Sequence, residues 1–294
     1  MLNLTKFYNR KLKFAGLGEI LFDIYNGDEK LGGAPANFAY HCIKHGFESI
    51  VISAVGNDVL GQKALLQLGK KFLPCYIPIT SYKTGFVNIK LDENKVPTYS
   101  FLDDSAYDHI PLTDDLLSLA KSIDVVCFGS LAQRNKESAN TIQSFLKAMD
   151  KEHSLKIFDV NLRANFFNKE IINSTLSLSN VVKCNEDELP ILCQYANIEA
   201  SPETYYNYLK HQGVDCFILT CGNVSSTIYL NNEKSYLKTP KTNVIDTVGA
   251  GDCFTATFIT EILKGNNLYN SHQKAVETAA LICSKLGAMP DYEV

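Results

Sequence analysis

The 294-residue sequence lacks the short signatures that mark the commoner enzyme classes. It has no Gly-x-x-x-x-Gly-Lys-[Ser/Thr], so it is not a P-loop enzyme. Gly16-Leu17-Gly18 is followed by Leu21 where the dinucleotide fingerprint needs a third glycine. There is no Gly-x-Ser-x-Gly elbow to present a nucleophilic serine. There is no His-Glu-x-x-His either, so His41 and His45, four apart on one helix, read as structural. No two of the nine cysteines have Cys-x-x-Cys spacing, which argues against a disulfide framework and a zinc ribbon. Most stand in apolar runs such as Val125-Val126-Cys127-Phe128, as free thiols do in cores, and the expected compartment is the cytoplasm. No apolar run approaches the ~18 residues that span a bilayer. Met1 to Lys13 is broken by Asn3, Lys6, Asn9, Arg10 and Lys11 and has no signal-peptide core. Positive charge is not in excess: Lys+Arg is 28 against 32 Asp+Glu, a net charge of −4. That argues against a dedicated nucleic-acid binder. No repeat, low-complexity tract or flexible linker divides the chain.

What is present is a globular composition, 46% hydrophobic and 20% charged. Its rhythm is strand then helix. Phe14 to Ile20, Ser49 to Val55, Asp124 to Phe128, Lys156 to Asn161, Asn180 to Cys184 and Cys216 to Thr220 are short apolar runs. Helices are expected over Pro35 to His45, from Asp58, and over Lys136 to Met149, Lys169 to Ser177 and Glu186 to Tyr195. This predicts an α/β fold: a mostly parallel central sheet with helices on both faces. Thr84 to Leu91 and Thr98 to Leu102 alternate instead, around a turn at Asp92-Glu93-Asn94-Lys95. With Leu21 to Tyr25 they predict a small β-sheet standing off the core as a lid, from about 20–34 and 82–104 of a single domain over 1–294.

Four segments and one isolated carboxylate carry candidate chemistry. Asp246-Thr247-Val248-Gly249-Ala250-Gly251-Asp252 precedes a helix, because Phe254, Phe258 and Ile262 recur at its spacing. Gly249, Ala250 and Gly251 then lie at a helix N-terminus, which attracts anions. Asp252 falls beside them, as a base for an alcohol would; an acidic residue that merely suits the helix dipole fits equally. Gly32-Gly33-Ala34-Pro35-Ala36-Asn37 opens another helix, with Asn37 either a ligand or an ordinary exposed residue. Asp23 is a carboxylate in an apolar run, which needs a partner. Asp159 to Arg163 ends a strand. Asn185-Glu186-Asp187-Glu188 starts a helix, where acidic groups suit the dipole or hold Mg²⁺ through water.

Together these segments resemble the ribokinase-like (PfkB) carbohydrate kinases. The resemblance rests on Gly32 to Gly46, Asp246 to Asp252, Gly129-Ser130-Leu131-Ala132-Gln133-Arg134, Asp159-Val160-Asn161-Leu162-Arg163 and Leu286 to Pro290. Gly-Gly-Ala-Pro-Ala-Asn and Gly-Ser-Leu-Ala-Gln-Arg are most similar to fructokinases. The resemblance implies the following roles. Asp252 is the general base, and Gly249, Ala250 and Gly251 form the anion hole. Asp23, Gly32, Gly33 and Asn37 hold the sugar, and Arg163 neutralises phosphate. Asn185, Glu188, Thr220, Gly222, Asp246 and Thr247 serve ATP, with Glu188 on Mg²⁺ through water. A monovalent cation such as K⁺, and a homodimer through the lid, are also implied. No nucleic acid or membrane partner is expected. The implied reaction phosphorylates D-fructose at its 6-hydroxyl. Ribose, 2-keto-3-deoxygluconate or a nucleoside as substrate, and a non-catalytic sugar sensor, are the alternatives. Lys83, Lys90 and Lys95 leave a sugar phosphate open. Two positions depart from the pattern: Ser225 replaces a glycine in the nucleotide loop, and Tyr107 stands where tryptophan is frequent.

Overall fold

The computed structural model describes residues 2–91 and 97–293. The main sheet runs Glu233–Lys238, Ser225–Leu230, Cys216–Cys221, Val181–Asn185, Leu155–Asp159, Val125–Phe128, Lys13–Leu17, Glu48–Ile52 and Cys75–Tyr76. Every pairing from Cys216–Cys221 to Cys75–Tyr76 is parallel. The two strands beyond Cys216–Cys221 are antiparallel.

Side chains leave a strand on alternate faces. Ala15, Leu17, Val126, Phe128 and Phe158 enter one core, beneath helices Asp114–Ala120, Lys136–Ala148, Lys169–Leu176, Glu188–Ala196 and Pro202–His211. Phe14, Val125, Cys127, Leu155 and Ile157 enter the other, beneath Ala34–Lys44, Ala250–Leu263 and Leu268–Cys283. Burial on both faces explains the mostly apolar runs, and the expected α/β architecture is the one formed. All nine cysteines are free. No described helix is long and apolar enough to cross a membrane.

The chain differs from expectation where polarity hides an element. Glu233–Lys238 buries only Ser235, so nothing in its pattern reads as a core strand. The helix expected from Glu186 begins at Glu188, because Asn185 Oδ1 accepts from the N–H groups of Asp187 and Glu188 and holds a turn there. Asp58 caps Val59–Lys70 as expected, its Oδ1 accepting from Gly61 at 2.7 Å.

A second sheet stands apart, in the order Asp28–Gly32, Leu21–Tyr25, Gly85–Leu91 and Pro97–Phe101. Its first and last pairs are antiparallel and its middle pair is parallel. The expected hairpin is therefore present, while the turn at Asp92-Glu93-Asn94-Lys95 lies outside the described residues. This sheet grows from the carboxyl end of Lys13–Leu17 through Gly18, Glu19 and Ile20, and returns through Gly33 into helix Ala34–Lys44.

That helix lies hard against the central strand. A Cβ on Gly16 would sit 1.9 Å from the Pro35 carbonyl oxygen. Backbone cannot yield as a flexible side chain does. Gly16→Ala is expected to cost about 3 kcal/mol of folding stability, read as a lower urea midpoint. An unchanged midpoint would show that the helix start gives way.

Candidate active site

Two helix N-termini meet at the carboxyl end of the central strands. Helix Ala250–Leu263 begins after Gly249, whose φ of 78° favours glycine and whose added Cβ would lie 2.6 Å from that of Ala288. No side chain caps this end, so its first-turn N–H groups have no capping acceptor. Asp246 braces the preceding turn, Oδ1 accepting from Val248 N–H and Oδ2 from Gly287 N–H. The Thr247 carbonyl accepts from Ala250 N–H. Gly33 precedes the other helix at φ 120°, where a Cβ would lie 2.4 Å from the Glu19 carbonyl oxygen.

Asn37 Nδ2 donates to Asp252 Oδ2 at 2.8 Å. Asn37 is only 3% exposed, so it is not the ordinary surface residue that its sequence setting allowed. Its Oδ1 is buried without a partner. Burial, and then the charge of Asp159, push the Asp252 carboxyl up to about 6, while Asn37, Lys183 and Arg163 pull it down. Arg163 is exposed and acts electrostatically on Asp252, Glu19 and Asp23 alike.

Two further charged groups belong to the site. Lys183 Nζ donates to both oxygens of Asp159, at 2.9 and 2.8 Å, and both residues are buried. Burial alone would lower the ammonium's pKa, but the Asp159 carboxylate holds it above its ordinary value. A Cβ on Gly251 would lie 3.4 Å from Lys183 Nζ, so this cation lies directly beside the anion-attracting turn. Glu19 is 2% exposed, with one oxygen unpartnered, and burial raises its carboxyl to about 7. Sequence reasoning passed over both, yet each is a charge inside an apolar segment, the same signal that singled out Asp23.

Asp23 lies in the middle of Leu21–Tyr25, partly buried, its carboxyl raised by burial against the pull of Arg163 and Lys30. Its Oδ2 would lie 3.2 Å from a Cβ on Gly32 of the neighbouring strand. A cleft of about 580 Å³ opens between Asp23, Lys30, Asp246, Val248, Ala288 and Met289. Lys30 Nζ reaches to 4.0 Å from Asp246 across it.

On the other side of the turn, Glu188 accepts from Leu162 N–H at 2.7 Å and from Asn185 N–H at 2.9 Å. It thereby ties the Arg163 loop to the Asn185 loop. Burial raises its carboxyl against those bonds. Thr220 pairs in register with Asn185, and Gly222 follows at φ 47°. Ser225 starts the next strand opposite Cys221, in extended backbone, so its replacement of glycine carries no strain. Tyr107 is 1% exposed and packs under Gly85 rather than lining open space. His41 is bonded to Tyr292 and Ala288, and His45 to Thr257, as structural histidines are. Among the described residues no three His, Cys, Asp or Glu groups converge to hold a metal by themselves.

An uncapped helix start, a partly dry carboxylate beside it and a buried cation behind it make a site for moving an anionic group onto an alcohol. Residues 15–294 match the pfkB family of carbohydrate kinases, and the chain belongs to that family. It is 26% identical to an ATP-dependent 6-phosphofructokinase from Thermoanaerobacterium thermosaccharolyticum, over 97% of this chain and 92% of that one. It is 29% identical to a sugar kinase from Pyrococcus horikoshii, PH1459, over 93% and 91% of the two chains. The solved structure of that protein in complex with ATP superposes with a TM-score of 0.81, covering 95% of this chain and 94% of that one. A fructokinase from Rhizobium leguminosarum bv. trifolii is 24% identical over 88% of this chain and 82% of its own.

The Asp159–Lys183 pair yields a stability test. Lys183→Met leaves a buried carboxylate unpaired and should cost about 3–5 kcal/mol in urea unfolding. Lys183→Met with Asp159→Leu should recover most of that. A double variant as unstable as the single one would show that Lys183 acts through some other contact.

Proposed function

We propose that the chain is an ATP-dependent kinase that phosphorylates the primary hydroxyl of a free sugar, D-fructose to D-fructose 6-phosphate. The observation that supports it most directly is the Asn37–Asp252 hydrogen bond beside an uncapped helix start. It orients one carboxylate oxygen and leaves the other free for a hydroxyl.

In this reading the small sheet, with segments 20–34 and 82–104, is the lid of one kinase domain. Asp23 and Asn37 hold sugar hydroxyls next to Gly32 and Gly33. The nucleotide lies along Thr220 and Gly222, its phosphates directed at Gly249, Ala250 and Gly251. Asp252 takes the hydroxyl proton. The freed oxygen forms its bond to the γ-phosphorus as the bond to the ADP oxygen breaks. Arg163, Lys183 and the helix N-terminus face the charge that spreads over the phosphoryl oxygens. Asn185 and Glu188 offer hard oxygen atoms without forming a closed cage, which suits Mg²⁺ held largely by water and phosphate. That ion would supply charge neutralisation. Exposed Tyr25 and Tyr99 stand on the strands through which a homodimer would form, and the cytoplasm is the compartment that supplies ATP.

The preference for fructose is supported by the likeness of Gly-Gly-Ala-Pro-Ala-Asn and Gly-Ser-Leu-Ala-Gln-Arg to fructokinases.

Two outcomes are expected. Asp252→Asn should fold normally and lose about 10²–10⁴-fold in kcat. In the parent enzyme kcat should fall as pH drops through about 6, because only the carboxylate accepts a proton. A loss below tenfold would remove Asp252 as the base. In a panel followed by ADP release, fructose should give the highest kcat/KM among fructose, ribose, 2-keto-3-deoxygluconate and fructose 6-phosphate. Asp23→Ala should weaken the fructose KM by about 1–3 kcal/mol and spare the KM for ATP. A better rival sugar would overturn the fructose assignment and leave the kinase assignment standing.

A further inference from the structure

On the side away from Asp23 the chain enters the small sheet through Tyr82 to Gly85 and leaves it through Leu102 to Ser105. One imidazole touches both crossings and the core. His109 is 8% exposed. Its Nε2 lies 2.6 Å from Asp104 Oδ1, on the exit segment. Its Nδ1 lies 2.6 Å from Glu137 Oε2, in the first turn of helix Lys136–Ala148. The Tyr82 ring, on the entry segment, stacks on it with centroids 3.4 Å apart and planes 3° from parallel.

Both ring nitrogens face carboxylate oxygens, and a carboxylate only accepts hydrogen bonds. Both nitrogens must therefore donate, and only the imidazolium does so. A neutral ring turns a lone pair towards one carboxylate. The other charged groups nearby do not change this balance. Arg134 gives its Nε and Nη2 to Asp108 and the Leu102 carbonyl, and its buried Nη1 has no partner. Lys83, Asp103 and Lys136 flank the three partners in sequence and are exposed. Burial disfavours the charged ring, but the two carboxylates outweigh it and hold the pKa above its ordinary value.

The clasp bears on the sugar side through two contacts. Tyr107, in the same short turn as His109, fills the space beside Gly85, where an added Cβ would lie 2.4 Å from its ring. Gly85–Leu91 in turn pairs with the strand of Asp23, with Val87 opposite Asp23. We propose that His109 is a positioning residue: a charged clasp that fixes both crossings of the small sheet, so that losing its proton weakens sugar binding. This rests on the sugar-kinase reading above.

The sign follows from the raised pKa. The clasp is complete below the ordinary histidine value of about 6.5 and is lost as pH rises through the higher folded value. The test is the KM for fructose and for ATP from pH 6.5 to 9, in the parent enzyme, Glu137→Gln and His109→Phe. In the parent the fructose KM should rise about tenfold or more, the worth of one charge-assisted hydrogen bond, with the ATP KM level. In Glu137→Gln the rise should vanish, because the amide donates to a neutral ring. His109→Phe keeps the stack and should show a high fructose KM at every pH; if it does not fold, Glu137→Gln still decides. A level fructose KM in the parent, or a rise in Glu137→Gln equal to the parent's, overturns the clasp. If no sugar is phosphorylated at any pH, the kinase reading falls instead. The clasp is then decided by NMR titration of the His109 ring: above about 6.5 in the parent and lower in Glu137→Gln supports it, and no difference overturns it.

Discussion

The hydrogen bond from Asn37 to Asp252 joins two helix starts that lie 215 residues apart in sequence. A carboxylate proposed to accept a proton from an alcohol faces opposing demands. It must be dry enough to be basic and yet remain charged. Burial supplies the first, raising Asp252 to about 6. The Asn37 amide, Lys183 and Arg163 supply the second. The amide's hydrogen bond to Asp252 favours the charged form against that burial. The fold exists to make that meeting possible. The chain leaves Lys13–Leu17 for Glu48–Ile52 on one side and returns to Val125–Phe128 on the other. Such a reversal of strand order opens a crevice at the carboxyl end of the central strand. Gly18, Glu19 and both helix starts gather there.

The electrostatics of the crevice are layered. Nearest the turn lies Asp252, and behind it the Asp159–Lys183 pair. Such a pair is weak evidence for stability, since desolvation offsets much of its attraction. Its position is more telling. Asp159 raises the Asp252 carboxyl and Lys183 lowers it, so the pair acts on the proposed base with both signs. The lysine is also the member nearer the anion-attracting turn, as the Gly251 geometry shows. Glu188, bonded to the backbone of both Leu162 and Asn185, keeps the loops carrying Arg163 and Asn185 in step with that pair.

The parallel strands were legible because burial on both faces leaves mostly apolar runs with few polar residues to blur them. The small sheet was legible for the opposite reason, its alternation. The Asp246–Asp252 and Gly32–Asn37 motifs were legible because glycines next to a helix start are costly unless a positive φ or a close approach requires them. Gly33 and Gly249 have the positive φ. Glu233–Lys238 was not legible, since an edge strand with one buried residue has little pattern. Lys183 and Glu19 each left a trace, a charge within an apolar segment. Neither can be paired from sequence, because their neighbours come from other strands and loops. His109 left no trace at all: an isolated histidine acquires meaning only when Asp104, Glu137 and Tyr82 close around it.

The small sheet and the base are not independent parts. Strand Leu21–Tyr25 continues the central strand through Glu19, and Asp28–Gly32 runs straight into the helix that carries Asn37. A shift of the sheet is therefore felt at Gly33, where the backbone lies too close to Glu19 for any side chain. Near this crossing there is almost no slack, so any motion of the sheet would be taken up at its other crossings. There the chain has no such contact with the base. It is held instead by Asp58 bonded to Thr84, by Arg134 on Leu102 and Asp108, and by His109 between its two carboxylates. Hydrogen bonds and ion pairs of this kind break and re-form at modest cost, whereas a backbone collision does not. Catalysis by water exclusion needs a cover that moves without disturbing the base. In the kinase reading proposed above, a crossing that is tight beside Asp252 and Asn37 and held by polar contacts on the far side meets that need.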